Sequence, residues 1–140
     1  MAQRRFLSPL HRTTRQIERW FESRLPELAP AEGHLLTYLV PYGPCTVTEL
    51  VRVFGMRHST MTNVLDRLER AGHLVRKANP EDRRSFLIAL TRKGKATAAR
   101  VNALLDELER DVEKRLAKGE LEGFARTMAA IEEAASRGER

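Results

Sequence analysis

Residues 46–90 carry two helical stripes followed by two β-prone runs, and their glycines and proline, Gly55, Gly72 and Pro80, fall at the joints. Thr46 followed by Glu49 has the reciprocal spacing of a capping box, and Val47, Leu50, Val51 and Phe54 form one buried stripe that ends at Gly55. A second helix is predicted from about His58 to Ala71, with Met61, Val64, Leu65 and Leu68 inward, and Gly72 supplies the left-handed position that ends many helices. Leu74 to Ala78 and Ser85 to Leu90 then read as a hairpin whose tip is Asn79-Pro80-Glu81-Asp82-Arg83-Arg84.

The flanks are helical. Phe6, Leu10, Ile17, Trp20, Phe21 and Leu25 recur at near-helical spacing until Pro26, and a short helix opens at Pro30 and Glu32 and is expected to stop at Pro41, Gly43 and Pro44. Thr91 caps a long helix with an apolar seam of Val101, Leu104, Leu105, Leu108, Val112 and Leu116, and Gly119 breaks it. The last helix, about Glu120 to Ala135, places Leu121, Phe124, Met128 and Ile131 on one face. The expected fold class is mainly α with a small β-hairpin wing: a winged helix-turn-helix with N- and C-terminal dimerisation helices. Residues 1–140 form one domain in this reading, with 30–95 as the winged part and 1–29 and 96–140 as the dimerising helices. The first helix of the same chain would cover the apolar seam in part, but a two-fold dimer explains more of it. Its expected interface is Phe6, Leu10, Leu104, Leu108, Val112, Leu121, Phe124 and Met128.

Composition narrows the partner. Lys and Arg number 25 against 19 Asp and Glu, a net charge of +6 that suits an acidic polymer. The single cysteine, Cys45, allows no intramolecular disulfide and fits a reducing compartment, and the charged N-terminus resembles neither a secretory signal nor a membrane span, so a cytoplasmic location is expected. His11, His34, His58 and His73 lack paired ligand spacing, so neither a metal nor another cofactor is expected. The sequence has no nucleophile elbow, phosphate-cradling glycine loop or zinc helix, and an enzyme is not expected.

A helix in a major groove reads bases with its N-terminal residues, and Arg57, His58, Ser59, Thr60, Thr62 and Asn63 have the short polar or cationic side chains that task needs. Ser59 and Thr60 equally suit helix caps or phosphate contacts. Arg67 either reaches a phosphate or guanine or pairs with an acidic residue at the foot of the wing, and the pairing is the expected role. On the hairpin, Arg76 and Lys77 lie on the approach strand, with Arg83 and Arg84 beside Asp82 at the tip, where a minor groove would attract an inserted arginine.

The stretches Thr46-Val-Thr-Glu-Leu50, Ser59-Thr-Met-Thr-Asn-Val-Leu-Asp-Arg-Leu-Glu69, Gly72, Arg76, Pro80-Glu-Asp-Arg-Arg84 and Leu90-Thr-Arg-Lys-Gly94 resemble, in register, the signature of the MarR family of bacterial transcriptional regulators. His73 stands where that family often has leucine or tyrosine. The resemblance implies an obligate homodimer on a pseudo-palindromic double-stranded DNA site, with the wings in minor grooves, and the expected role is that of a repressor. It also implies that Asp82 orients, Arg84 inserts and Arg83 touches phosphate. Relatives often bind small aromatic or phenolic acids, and the candidates for such a cleft here are Arg15, Trp20, His34, Tyr38 and Tyr42. These five also suit ordinary core and surface positions. Some relatives sense peroxide through a cysteine in the first helix; Cys45, expected in a short buried strand, is not placed for that. The alternative from another class is a winged-helix module that docks on a protein, which would need an apolar recognition surface.

Overall fold

The computed structural model describes residues 4–139. The elements run α1 (Leu7–Arg24), α2 (Pro30–Tyr42), β1 (Cys45–Thr46), α3 (Val47–Phe54), α4 (His58–Arg70), β2 (Leu74–Ala78), β3 (Phe86–Leu90), α5 (Arg92–Glu113) and α6 (Glu120–Ser136), with a closing 3-10 turn over Arg137–Glu139. The chain divides into two compact units, one ending at Asn102 and the other beginning at Ala103, so the division falls within α5.

The first unit is built as the apolar spacing dictates. Met61, Val64, Leu65 and Leu68 of α4 are all buried, and Leu50 of α3 is fully so, together with Leu35, Leu36, Ile88 and Val101. Thr46 Oγ1 accepts from Glu49 N at 3.2 Å while Glu49 Oε2 accepts from Thr46 N at 2.7 Å, which is the reciprocal cap read from the sequence. Gly55 and Gly72 take left-handed φ values of 60° and 82°, which lets the chain turn sharply after α3 and after α4.

The sheet is antiparallel in the order β1-β3-β2. Leu74 pairs with Leu90 and Ala78 with Phe86, while Cys45 and Thr46 pair with Ile88 and Leu87 on the far side of β3. Cys45 is buried, and its Sγ donates to the Tyr42 carbonyl at 3.1 Å. Burial, with a smaller contribution from Glu49, pushes the thiol pKa up, so the sulfur is held as a poor nucleophile.

One boundary differs from expectation. α2 continues through Pro41 to Tyr42 and closes with Gly43 N donating to Leu39 O at 3.0 Å. Proline costs a helix one N–H and crowds the preceding turn, but in a final turn only one hydrogen bond is forgone and the fixed φ is already helical.

The second unit contains the end of α5 and all of α6. No residue of α6 is buried; Leu121 and Phe124 are 46% and 60% exposed, and Val112 of α5 is 44% exposed. Leu104, expected at a dimer interface, is only 8% exposed in the single chain, so its burial needs no second copy. Leu10, Leu108 and Met128 are half-buried and Phe6 is exposed. Among the described residues, no helix is long and apolar enough to cross a membrane.

Candidate nucleic-acid interface

α4 begins after Arg57, whose side chain makes no capping bond, so Ser59 and Thr60 lie inside the helix rather than at its cap. Arg57, His58, Ser59, Thr60, Asn63 and Arg67 are exposed and Thr62 is half-buried. The outer surface of the helix is therefore open along the half that bears its short polar side chains. Thr62 Oγ1 lies 3.5 Å from His58 Nδ1, one turn away.

The back of α4 is tied down by charge. Arg67 Nε donates to Glu32 Oε1 at 2.9 Å, so its partner is on α2 and not, as expected, at the foot of the wing. The acids at that foot, Asp66 and Glu69, are instead taken by Arg76 of β2, at 2.7 Å and 2.9 Å. Arg76, placed by the sequence among the DNA contacts, is thus spent inside the fold. Desolvation opposes its charge, but the hydrogen bonds it donates to Asp66 and Glu69 outweigh that and raise its pKa.

The C-terminal end of α4 is held by the start of α5. Lys93 Nζ donates to Ala71 O and Thr91 Oγ1 donates to Gly72 O, both at 2.6 Å, and Thr91 N donates to His73 O at 3.0 Å. Thr91 Oγ1 also accepts from Gly94 N at 3.0 Å, as the cap of α5. Sequence reasoning read Thr91 as a cap and missed its second task; the motif Leu90-Thr-Arg-Lys-Gly94 was the available signal.

The hairpin tip is organised by short polar side chains. Asn79 Nδ2 donates to Ser85 Oγ at 2.9 Å, and Asn79 Oδ1 accepts from Glu81 N at 3.1 Å. Asp82 Oδ1 accepts from the main-chain N–H of Arg84 at 3.0 Å, and Asp82 O accepts from Ser85 N at 3.1 Å. Asp82 therefore acts on the backbone from which Arg84 projects. Among the described residues, no ion pair involves Arg57, Arg83 or Arg84, all of which are exposed.

Lys77 has a different setting from Arg76, because adjacent strand residues point to opposite faces. It lines a cleft of about 450 Å³ with Leu39 and Val40 of α2, Ala89 of β3, and Lys95 and Asn102 of α5. None of the five residues expected to line an effector cleft lies in it. Of those five, Tyr38 and Tyr42 stack with centroids 4.7 Å apart, and Tyr38 meets Phe54 edge-on at 5.4 Å. Arg15, His34 and Tyr42 are exposed, and Trp20 and Tyr38 are half-buried.

A capped helix, a glycine turn, an open polar helix and a hairpin with bare arginines at its tip define a winged helix-turn-helix protein. Residues 28–86 match the model of the MarR family. It is 25% identical over 121 residues to YwhA of Bacillus subtilis, described as an uncharacterised HTH-type transcriptional regulator, covering 86% of this chain and 85% of that protein. Its fold is similar to that of S. aureus MepR crystallised with DNA (TM-score 0.88, 19% identity, 95% of this chain and 99% of that one). It is similar also to that of PcaV from Streptomyces coelicolor in complex with its natural ligand (TM-score 0.81, 23% identity, 96% and 99%).

Proposed function

We propose that the protein binds double-stranded DNA sequence-specifically as a homodimer and represses transcription from the cytoplasm. In this reading the first turns of α4 enter the major groove, and Arg84 enters the adjoining minor groove with Arg83 at a phosphate. One observation carries it: Arg67 and Arg76 are neutralised within the fold, whereas Arg57, Arg83 and Arg84 have no carboxylate partner among the described residues. The likeness to MepR, which was crystallised with DNA, supports the same reading. Exposed Phe6, Val112, Leu121 and Phe124 support a second copy, since monomers rarely leave so many large apolar side chains in water. A winged helix that docks on protein needs an apolar outer surface on α4, and this one is Arg, His, Ser, Thr and Asn.

The test is Arg84→Ala against duplexes selected by the protein from a random pool. Loss of one cationic contact from each protomer is expected to weaken binding and reduce the slope of log K against log salt by about 1.8 for the dimer, at about 0.9 per contact. Equal affinity for the selected and the scrambled duplex would sink the sequence-specific reading.

For release, the cleft of about 450 Å³ is the better candidate than the five residues named from sequence, because Lys77 and Lys95 stand over an apolar floor. Aromatic carboxylates are expected to raise the melting temperature and weaken DNA binding, while their amides do neither. Unchanged carboxylate response in a Lys77→Met, Lys95→Met variant would place the effector elsewhere.

A further inference from the structure

His73 joins the reading helix to the hairpin and is 8% exposed. Its main chain binds three elements together: its N–H donates to Leu68 O of α4 at 2.9 Å, its own position leads into β2, and its carbonyl accepts from Thr91 N at 3.0 Å. Its ring Nδ1 is buried and has no hydrogen-bond partner. The charged groups around it are Lys93 from α5, Glu32 from α2 and Glu27 from the segment between α1 and α2. Both carboxylates are already engaged, Glu27 by Arg100 at 3.0 Å and Glu32 by Arg67 at 2.9 Å.

A neutral imidazole carries one N–H, an imidazolium two. Charging this ring would put a cation and an unanswered donor into a site that offers Nδ1 no acceptor, and would add it to surroundings where Lys93, Arg67 and Arg100 already face two acids. Relief requires the ring to reach water. Moving it disturbs a backbone that α4, β2 and α5 share, so the cost falls on the junction that fixes the reading helix.

We propose that His73 is a proton-operated release: acidification charges its ring, the junction of α4, β2 and α5 opens, and the DNA-reading surface loses its fixed geometry. The inference rests on the DNA-binding reading above. Burial, then Lys93, holds the imidazole pKa below its ordinary 6.5, against the pull of Glu32 and Glu27. The opened state therefore takes up a proton that the closed state refuses. Stability of the closed form is complete above pH 6.5 and is lost as pH falls from there towards the lowered value.

The sign of the DNA effect is diagnostic. Acid makes a protein's net charge more positive, which strengthens attraction to a polyanion. A fall in affinity on acidification runs against that attraction and needs a surface that comes apart.

Wild type, His73→Leu and His73→Gln are to be compared at about pH 7.5 and about pH 5.5, a range that spans histidine titration. The readouts are amide exchange from Leu68 to Arg76 and affinity for duplexes selected by the wild type at the higher pH. In the wild type, exchange is expected to rise and affinity to fall at the lower pH. Both variants keep their protection and bind as well or better. The same pH response in all three proteins overturns the proposal. If no duplex is enriched at the higher pH, the DNA reading alone has failed. The exchange arm then still decides the junction: acid-driven opening that both variants lose upholds it, and opening that they keep overturns it.

Discussion

Gly94→Ala is expected to destabilise the protein by about 3 kcal/mol or more, the upper range for overpacking at a site that cannot yield. A Cβ at this position would lie 2.0 Å from the His73 carbonyl oxygen and 3.2 Å from Leu90 Cδ2. The obstacle is main chain, so no rotamer change relieves it. α5 must back away from the end of α4, and the bonds from Thr91 and Lys93 to the carbonyls of residues 71–73 go with it. Gly123→Ala is the matched control, because it too is helical but meets nothing closer than Arg126 Nη2 at 3.8 Å. That change should leave stability unaltered or raise it by up to about 1 kcal/mol through helix propensity. Urea unfolding of both variants decides the matter. A Gly94→Ala protein as stable as the Gly123→Ala protein would mean that the contact between α5 and His73 is not as close as described.

The double change Leu121→Glu, Phe124→Glu is expected to convert a dimer into a monomer and weaken DNA binding by about 10² to 10⁴-fold, the usual worth of joining two binding units. These side chains are exposed in the single chain and α6 buries nothing, so replacing them does not empty a core. The variant should keep its helical circular dichroism and lose its dimeric mass in sedimentation. A monomeric wild type at the concentrations used for DNA binding would remove the dimer from the proposal. An unchanged mass in the variant would move the interface away from α6.

The central elements were legible because their determinants are local. The inward set Met61, Val64, Leu65 and Leu68 follows from a period of 3.6 residues, and the Thr46–Glu49 cap from a spacing of three. Pro41 misled the reading because a missing N–H matters little in a last turn. The partners of the arginines were harder. Glu32 lies 35 residues from Arg67, and only the packing of α2 beside α4 brings them together. Arg76 looked like a wing contact because the sequence shows its charge and not its strand face, and that face turns out to meet two acids of α4. The cleft beneath Lys77 was equally hidden, since its walls come from α2, the hairpin and α5. Leu104 fitted an apolar seam, but periodicity does not distinguish burial within one chain from burial between two.

The grip of Lys93 on the end of α4 has an electrical consequence. Aligned peptide dipoles leave the last carbonyls of a helix partly negative and its first amides partly positive. Here an ammonium quenches the negative pole, while the Arg57 side chain makes no capping bond at the positive one. The rod thus presents a single polarity outward, and a phosphate approaching it meets attraction at the tip without a compensating repulsion from the tail.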